Sequence, residues 1–417
     1  MFDRDRLEEI WITITRNRVR SLLTAFGVFW GIFTLVVMIG SGDGLERGVM
    51  KGVKGFATNS CFLGSSTTAI PYKGFQKGRA WNIHNKDVDI LEDSIPEIKF
   101  LSPVLWGMMS NNNIVYDDRS GTYHVKGLYP NYAQIESQRI SYGRFINEID
   151  IQQKRKVCVI GEKVYEKLFP RRDNPIGQDI RVNGVYYQVV GVTAGLSDIS
   201  IGDKLESSVL LPFTTLQQIN NKGDIIHFVA AISEDHVPAK YIEDNIKRVL
   251  KAVNHIHPDD YKAIWSFNME KEYTMYMNLF KGVAILIWIV GTGTLIAGIV
   301  GVCNIMLVTV KERTREIGVR RAIGAKPHSI ISQIMWESIV LTSIAGIFGL
   351  CAGVYALHIA DLVWVQKQEN MFILHPMITF QLGIGSLLIL LVSGVLAGII
   401  PALRALKIKA IDAIREE

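Results

Sequence analysis

Four uncharged or nearly uncharged stretches constrain this chain more than any other feature. A helix needs about 20 mostly apolar residues to cross the hydrocarbon core. Inside that core every backbone polar group must be satisfied within the segment, so such stretches are read as helices. Ser21 to Gly42 carries no charge, and neither does Gly282 to Val310. Ser338 to Ala360 carries only His358, and its helix is expected to begin a turn or two before Glu337. Met371 to Leu403 carries only His375, beside Pro376, which moves the expected start of the span to Met377. Basic residues precede the first stretch, as in a signal peptide, but its apolar run is longer than a usual h-region. No A-x-A-like site follows it, so it is read as an uncleaved span.

These limits divide the chain into an amphipathic lead (1–20), a first span (21–42), a large polar segment (43–280) and a second span (282–310). A charged connector (311–328), a third span (331–360), a short loop (361–376), a fourth span (377–403) and a tail (404–417) complete it. Short-loop Lys and Arg set orientation. Arg4, Arg6, Arg16, Arg18 and Arg20 precede the first span, the connector holds six more basic residues, and Arg404, Lys407, Lys409 and Arg415 follow the last span. The loop between spans three and four has only Lys367. Both termini and the connector are therefore expected in the cytoplasm, and the large segment outside. In the lead, Leu7, Ile10, Trp11 and Ile14 share one helical face, the pattern of a helix lying in the membrane interface.

The large segment alternates strand and helix signals. KVCVIG at 156–161, DIRVNGVYYQVVGV at 179–192, SSVLLPF at 207–213 and HFVAAI at 227–232 are β-branched and aromatic runs. Asn183-Gly184 is a hairpin turn signal. LEDSI at 91–95, KVYEKLF at 163–169 and AKYIEDNIKRVLKAV at 239–253 read as helices; in the last, Ile242, Ile246, Val249, Leu250 and Val253 fall on one face. The fold class expected is four transmembrane helices with a large mixed α/β extracytoplasmic domain inserted between helices 1 and 2.

A net charge of +5 is too small to argue for a nucleic-acid partner. Cys61 and Cys158 would allow a disulfide outside the cytoplasm, but two small buried thiols is the reading preferred. His255, His257, Asp259 and Asp260 could hold a metal, but a solvated loop after a helix, with Pro258 as terminator, is the reading preferred, because no further ligand set is evident. The sequence has no H-E-x-x-H, no G-x-S-x-G and no Walker A G-x-x-x-x-G-K-[ST]. No catalytic, cofactor-binding or metal-binding residue is expected.

The connector, KERTREIGVRRAIGAKPH at 311–328, is more than a topology signal. Glu312 and Glu316 lie one helical turn apart and Arg320 continues their row, Val319 and Ile323 form an apolar pair at the same spacing, Gly324 is a C-cap and Pro327 a stop. Paired glutamates and a defined end suit a docking helix better than a bare positive loop.

KERTREIGVRRAIGA also resembles the cytoplasmic signature E-R-T-x-E-I-G-[VI]-R-[RK]-A-[LIV]-G-A of the FtsX-like permeases. Glu312, Arg313, Thr314, Glu316, Ile317, Gly318, Arg320, Arg321, Ala322, Gly324 and Ala325 match it. RSLLTAFGVFWGIFTLVVMIGSGDGL resembles the start of MacB-type permeases. YGRFINE, KVCVIGEKVYEKLF and NPIGQDIRVNGVYYQVVGV are similar to their periplasmic core domain, and PALRALKIKAIDAIREE to their C-terminus. The resemblance covers nearly the whole chain, with 282–403 as its FtsX-like permease domain. It implies a non-catalytic permease subunit of a MacB-like (type VII) ABC transporter in the bacterial inner membrane, working as a dimer and as a mechanotransmitter. MacB carries an ATPase domain ahead of its first span; here about 20 residues precede it by the span estimate, so a separate ATPase that binds ATP and Mg is expected. Glu312, Arg313, Thr314, Glu316, Ile317, Gly318, Arg320, Arg321 and Gly324 are then the expected ATPase-coupling surface.

GxxxG spacings at Gly27/Gly31, Gly349/Gly353 and Gly394/Gly398 permit close helix approach. By the resemblance, Gly27 and Gly31 are the expected dimer contact, with a second copy or a paralogue. The function implied is export of antimicrobials, peptides or similar substrates with a periplasmic membrane-fusion adaptor and an outer-membrane duct. Lol-type lipoprotein extraction is an alternative. FtsX-like signalling to a cell-wall hydrolase is another, although FtsX proper has a much smaller outer domain.

Overall fold

A computed structural model describes residues 18–53, 55–107, 112–169, 173–196, 200–221, 223–365 and 380–407. The amphipathic lead up to residue 17, the loop from 366 to 376, the start expected for the fourth span and the tail after 407 lie outside the described residues. The chain forms two compact units, Met1–Val49 with Asn278–Glu417, and Met50–Met277.

The first unit is helical. It holds most of α1 (Arg18–Val53) and α2 (Met269–Glu312) and all of α3 (Thr314–Ala322), α4 (Pro327–Ala360) and α5 (Phe380–Leu406). Four of them, all but α3, are long and apolar enough to cross a membrane. Two overrun the apolar stretches that mark them. A helix satisfies its own backbone and need not stop where hydrocarbon stops. Thus α1 continues past Gly42 to Val53, helped by the i,i+4 ion pair of Asp43 with Arg47. Likewise α2 starts at Met269, with Glu270 and Glu272 in its first turn, where acidic groups favour the helix dipole. Its far end takes in Glu312, which the sequence assigned to the connector helix.

Ile32, Leu35, Val36, Val302, Leu357 and Leu390 form part of this unit's buried core. Around them the helices meet through glycine. A Cβ on Gly27 would stand 3.4 Å from the Cα of Gly298, and one on Gly31 would stand 3.4 Å from the carbonyl oxygen of Thr294. A Cβ on Gly349 would come 2.6 Å from the carbonyl oxygen of Phe29, and one on Gly353 2.6 Å from Cγ1 of Val36. Gly398 faces Met335 in the same way, at 2.9 Å from its sulfur. This corrects the expected dimer contact: the Gly27/Gly31 face of α1 is filled by the chain's own α2. Small residues reveal a face that packs closely, not which helix fills it. Elsewhere α1 exposes the bulky Leu23, Phe26 and Trp30, with the Phe26 and Trp30 rings stacked at 5.9 Å.

The second unit is mixed α/β, built on a 12-stranded sheet. Its order is Ile264–Asn268, Ser60–Ser65, Phe228–Ser233, Ile98–Trp106, His124–Leu128, Ser208–Pro212, Val157–Gly161, Val185–Gly195, Asp179–Val182, Asn113–Tyr116 and Arg119–Thr122, with Gln138–Gly143 also paired to Val185–Gly195. Two pairings are parallel, Val185–Gly195 with Val157–Gly161 and Ser208–Pro212 with His124–Leu128. Val157–Gly161, Ser208–Pro212 and Phe228–Ser233 are buried along their whole length, which is why they read as unbroken apolar runs rather than alternations. The hairpin closes at Asn183-Gly184 with φ of 49° and 89°, and Val182 pairs with Val185 across it. The helix Ala239–Val253 buries Ile242, Ile246 and Leu250. Arg144 and the buried Asp150 form a two-pronged ion pair, at 2.6 and 3.1 Å.

Cys61 and Cys158 are both free and buried, and burial pushes each thiol well above its ordinary range. In the 255–260 loop Asp260 accepts hydrogen bonds from the backbone N–H of Ala69, Ile70 and Lys262. Burial opposes its charge, but these donors outweigh that and hold the carboxyl below its usual range. Asp260 therefore ties two loops together. Among the described residues no group of three or more His, Cys, Asp or Glu is placed to hold a metal ion.

Candidate coupling surface

The connector folds as two corners around one short helix. Arg313, with φ −96° and ψ 13°, interrupts the helical path between α2 and α3. At the other end Gly324 takes φ +100°. There the Gly324 N–H donates to Arg321 O at 3.1 Å and the Ala325 N–H to Arg320 O at 3.0 Å. This pair of bonds is the Schellman ending, which only glycine reaches without strain. Pro327 is not the stop that the sequence suggested. It is the first residue of α4, where a missing N–H and a fixed φ are tolerated.

One face of α3 is turned into the helical unit. Ile317 and Gly318 are buried. Arg313 Nη1 donates to Glu337 Oε1 on α4 at 3.1 Å. Arg320 Nη1 donates to Gln333 Oε1 at 2.9 Å, and its other terminal nitrogen lies 2.8 Å from Glu316 Oε1. Arg321 Nη1 donates to the backbone carbonyl of Leu406, the last residue of α5, at 2.8 Å. A cation there also suits the negative end of the helix dipole.

The opposite face is open. Arg315, Glu316, Val319, Ala322, Ile323 and Lys326 are exposed, and so are Lys311 and Glu312 at the end of α2. Ile323 is 82% exposed and Val319 40%, so the apolar pair lies on this open face. The nine residues named from sequence therefore divide. Arg313, Ile317, Gly318, Arg320 and Arg321 hold α3 to the other helices, while Glu312, Glu316 and Gly324 are exposed and Thr314 is partly so. Val319 and Ile323, the apolar pair of the sequence, join the open face, while Gln333 and Glu337, which lie outside the motif, complete the inner one. The signal for Glu337 was a carboxylate at the edge of an apolar run.

Four long apolar helices, a large α/β unit after the first and a braced helix between the second and third define the architecture of a multi-pass membrane protein. Residues 21–249 match the profile of the MacB-like periplasmic core domain, and residues 288–410 that of the FtsX-like permease C-terminal domain. The chain belongs to the MacB-like family of ABC transporter permeases. The pyoverdine export ATP-binding/permease protein PvdT of Pseudomonas putida is 27% identical, over 99% of this chain and 60% of that protein. The macrolide export ATP-binding/permease protein MacB of Bdellovibrio bacteriovorus is 26% identical, over 99% of this chain and 62% of that protein. The chain thus spans about three fifths of the length of these curated relatives. Among solved structures, the periplasmic region of MacB from Actinobacillus actinomycetemcomitans aligns with 55% of this chain and 98% of that one, at 19% identity and a TM-score of 0.43.

Proposed function

We propose that this chain is the mechanotransmitting permease subunit of a MacB-like exporter in the bacterial inner membrane, with both termini cytoplasmic. An ATPase outside these 417 residues binds ATP and Mg and grips the open face of α3. Its closure moves the spans, and the large domain, on the outer side, changes shape to expel a substrate such as an antimicrobial or a peptide. A second permease copy or paralogue, and a periplasmic adaptor with an outer-membrane duct, complete the assembly. The observation that carries this reading is the two-sided α3. Its inner face is pinned by three arginines, and its outer face presents Val319 and Ile323 among charged side chains. A helix held this firmly transmits a push rather than absorbing it. The export named in the relatives supports the direction of transport.

The test is to crosslink the full-length protein in native membranes and map crosslinks from Lys311 and Lys326, both exposed. A Walker-A protein is expected on both. Burying Ile323 against a partner contributes about 2 kcal/mol, so Ile323→Asp should weaken ATPase recovery by about thirtyfold. Crosslinks that never reach an ATPase, or equal recovery with the variant, would overturn the reading.

A further inference from the structure

Glu337 is a buried carboxylate inside a helix long and apolar enough to span a membrane. Ionisable residues in such places are costly, face the protein interior and are paired. Its partner is Arg313, the residue that breaks the path between α2 and α3. One turn earlier on the same face of α4, Gln333 accepts from Arg320 near the other end of α3. The two bridges flank a cavity of ≈ 30 Å³, lined between them by Met306, Val310, Ile317, Ile330 and Ile334. Replacing a buried ion pair with apolar side chains of similar volume is often neutral or stabilising, so stability alone does not account for this one. What a charged hydrogen bond adds over an apolar contact is a fixed direction. Here it is applied where the chain turns from one helix axis to the next.

We propose that Glu337 is the positioning residue of the connector: through Arg313 it locks the α2–α3 corner to α4, so that displacing α3 moves the second and third spans together. Gln333 holds the other end of α3 through Arg320. The proposal rests on the reading of α3 as the surface an ATPase grips.

The experiment uses the full-length chain with its ATPase in lipid vesicles. Glu337→Gln is compared with the double variant Arg313→Met/Glu337→Met, which removes both charges and is expected to melt no lower than the wild type. For each variant the response of the large domain is scored per bound ATPase and per ATP hydrolysed. Both should lose about tenfold of the ATP-dependent change in trypsin sensitivity of the large domain. Independently of any ATPase, trypsin should cut after the exposed Arg315 about tenfold faster, because α3 opens more often once the corner is released. Arg313→Glu/Glu337→Arg, which re-forms the pair in reverse, should restore slow cleavage. A folded double variant with wild-type ATP response and wild-type cleavage at Arg315 would reduce the pair to packing and overturn the proposal. If the wild type recruits no ATPase, the functional reading fails, while cleavage at Arg315 still decides whether Glu337 fixes α3.

Discussion

Substituting alanine for glycine at two positions separates backbone contacts that look alike in sequence. At Gly349 a Cβ would stand 2.6 Å from the carbonyl oxygen of Phe29, whereas at Gly31 the nearest atom is 3.4 Å away. An ordinary carbon–oxygen contact is about 3.3–3.6 Å. Gly31→Ala therefore fits, and the helix gains about 0.5–1 kcal/mol of propensity. Gly349→Ala does not fit, and the obstructing atom belongs to a helix backbone, so no side chain can rotate away. α1 and α4 must separate by about 0.7 Å to restore normal contact. Their neighbours across that interface, Ile32 with Gly349 and Val36 with Gly353, lose contact together. Inside lipid, helix association rests on such close packing. The expected cost of Gly349→Ala is about 2 kcal/mol, within the range for overpacking, against no loss for Gly31→Ala. Titrating the purified protein from mild detergent into SDS, followed by far-UV circular dichroism, measures both. Equal losses would refute the assigned interface. So would a Gly31→Ala variant that dissociates a dimer while Gly349→Ala is silent, because the α1 glycines would then meet another copy.

Three further outcomes follow from the large domain. Burial opposes the charge of Asp150, but Arg144 and the Asn147 N–H outweigh it and hold the carboxyl below its ordinary range. Its contribution is therefore present above about pH 4, the ordinary carboxylate pKa, and lost as pH falls below it. Asp150→Asn should cost about 2 kcal/mol at pH 7 and flatten the acid limb of urea melts taken between neutral and acid pH; an unchanged acid limb would refute this. Cys61 and Cys158 should resist maleimide in the native protein, and gel mobility should be the same with and without reductant; a reductant-sensitive shift would expose a disulfide. Gly184→Ala, at φ 89°, should destabilise the hairpin by about 1 kcal/mol, and a melt equal to wild type would count against the turn.

The parts of the fold legible in sequence are those dictated locally. An uncharged run can be little but a span, and a buried strand such as Val157–Gly161 must be apolar on both faces. Asn183-Gly184 states its turn because both residues need positive φ. Helix ends were less legible, since Asp43 to Val53 continues a helix by internal bonding although its composition is polar. Pro327 reads alike as the end of one helix or the start of the next. Sheet order was not legible: Ile264–Asn268 lies beside Ser60–Ser65, about 200 residues away in sequence. Within the connector the motif pointed to a short helix but not to which way its side chains face. Arginines on so short a helix can face a partner or the bundle, and only the positions of Gln333, Glu337 and Leu406 decide that three of them face the bundle.

The glycine face of α1 bears on how the protein is made. Gly27 and Gly31 meet Gly298 and Thr294, and Phe29 meets Gly349, yet the whole large domain is synthesised between α1 and those partners. At about 5–20 residues per second, the ribosome reaches Gly298 on the order of 10–50 s after Gly31. Throughout that interval the first span sits in lipid with its small-residue strip unmatched, able to associate with any helix nearby. The strip is thus open to wrong pairing during the chain's own translation, until α2 and α4 are made to cover it.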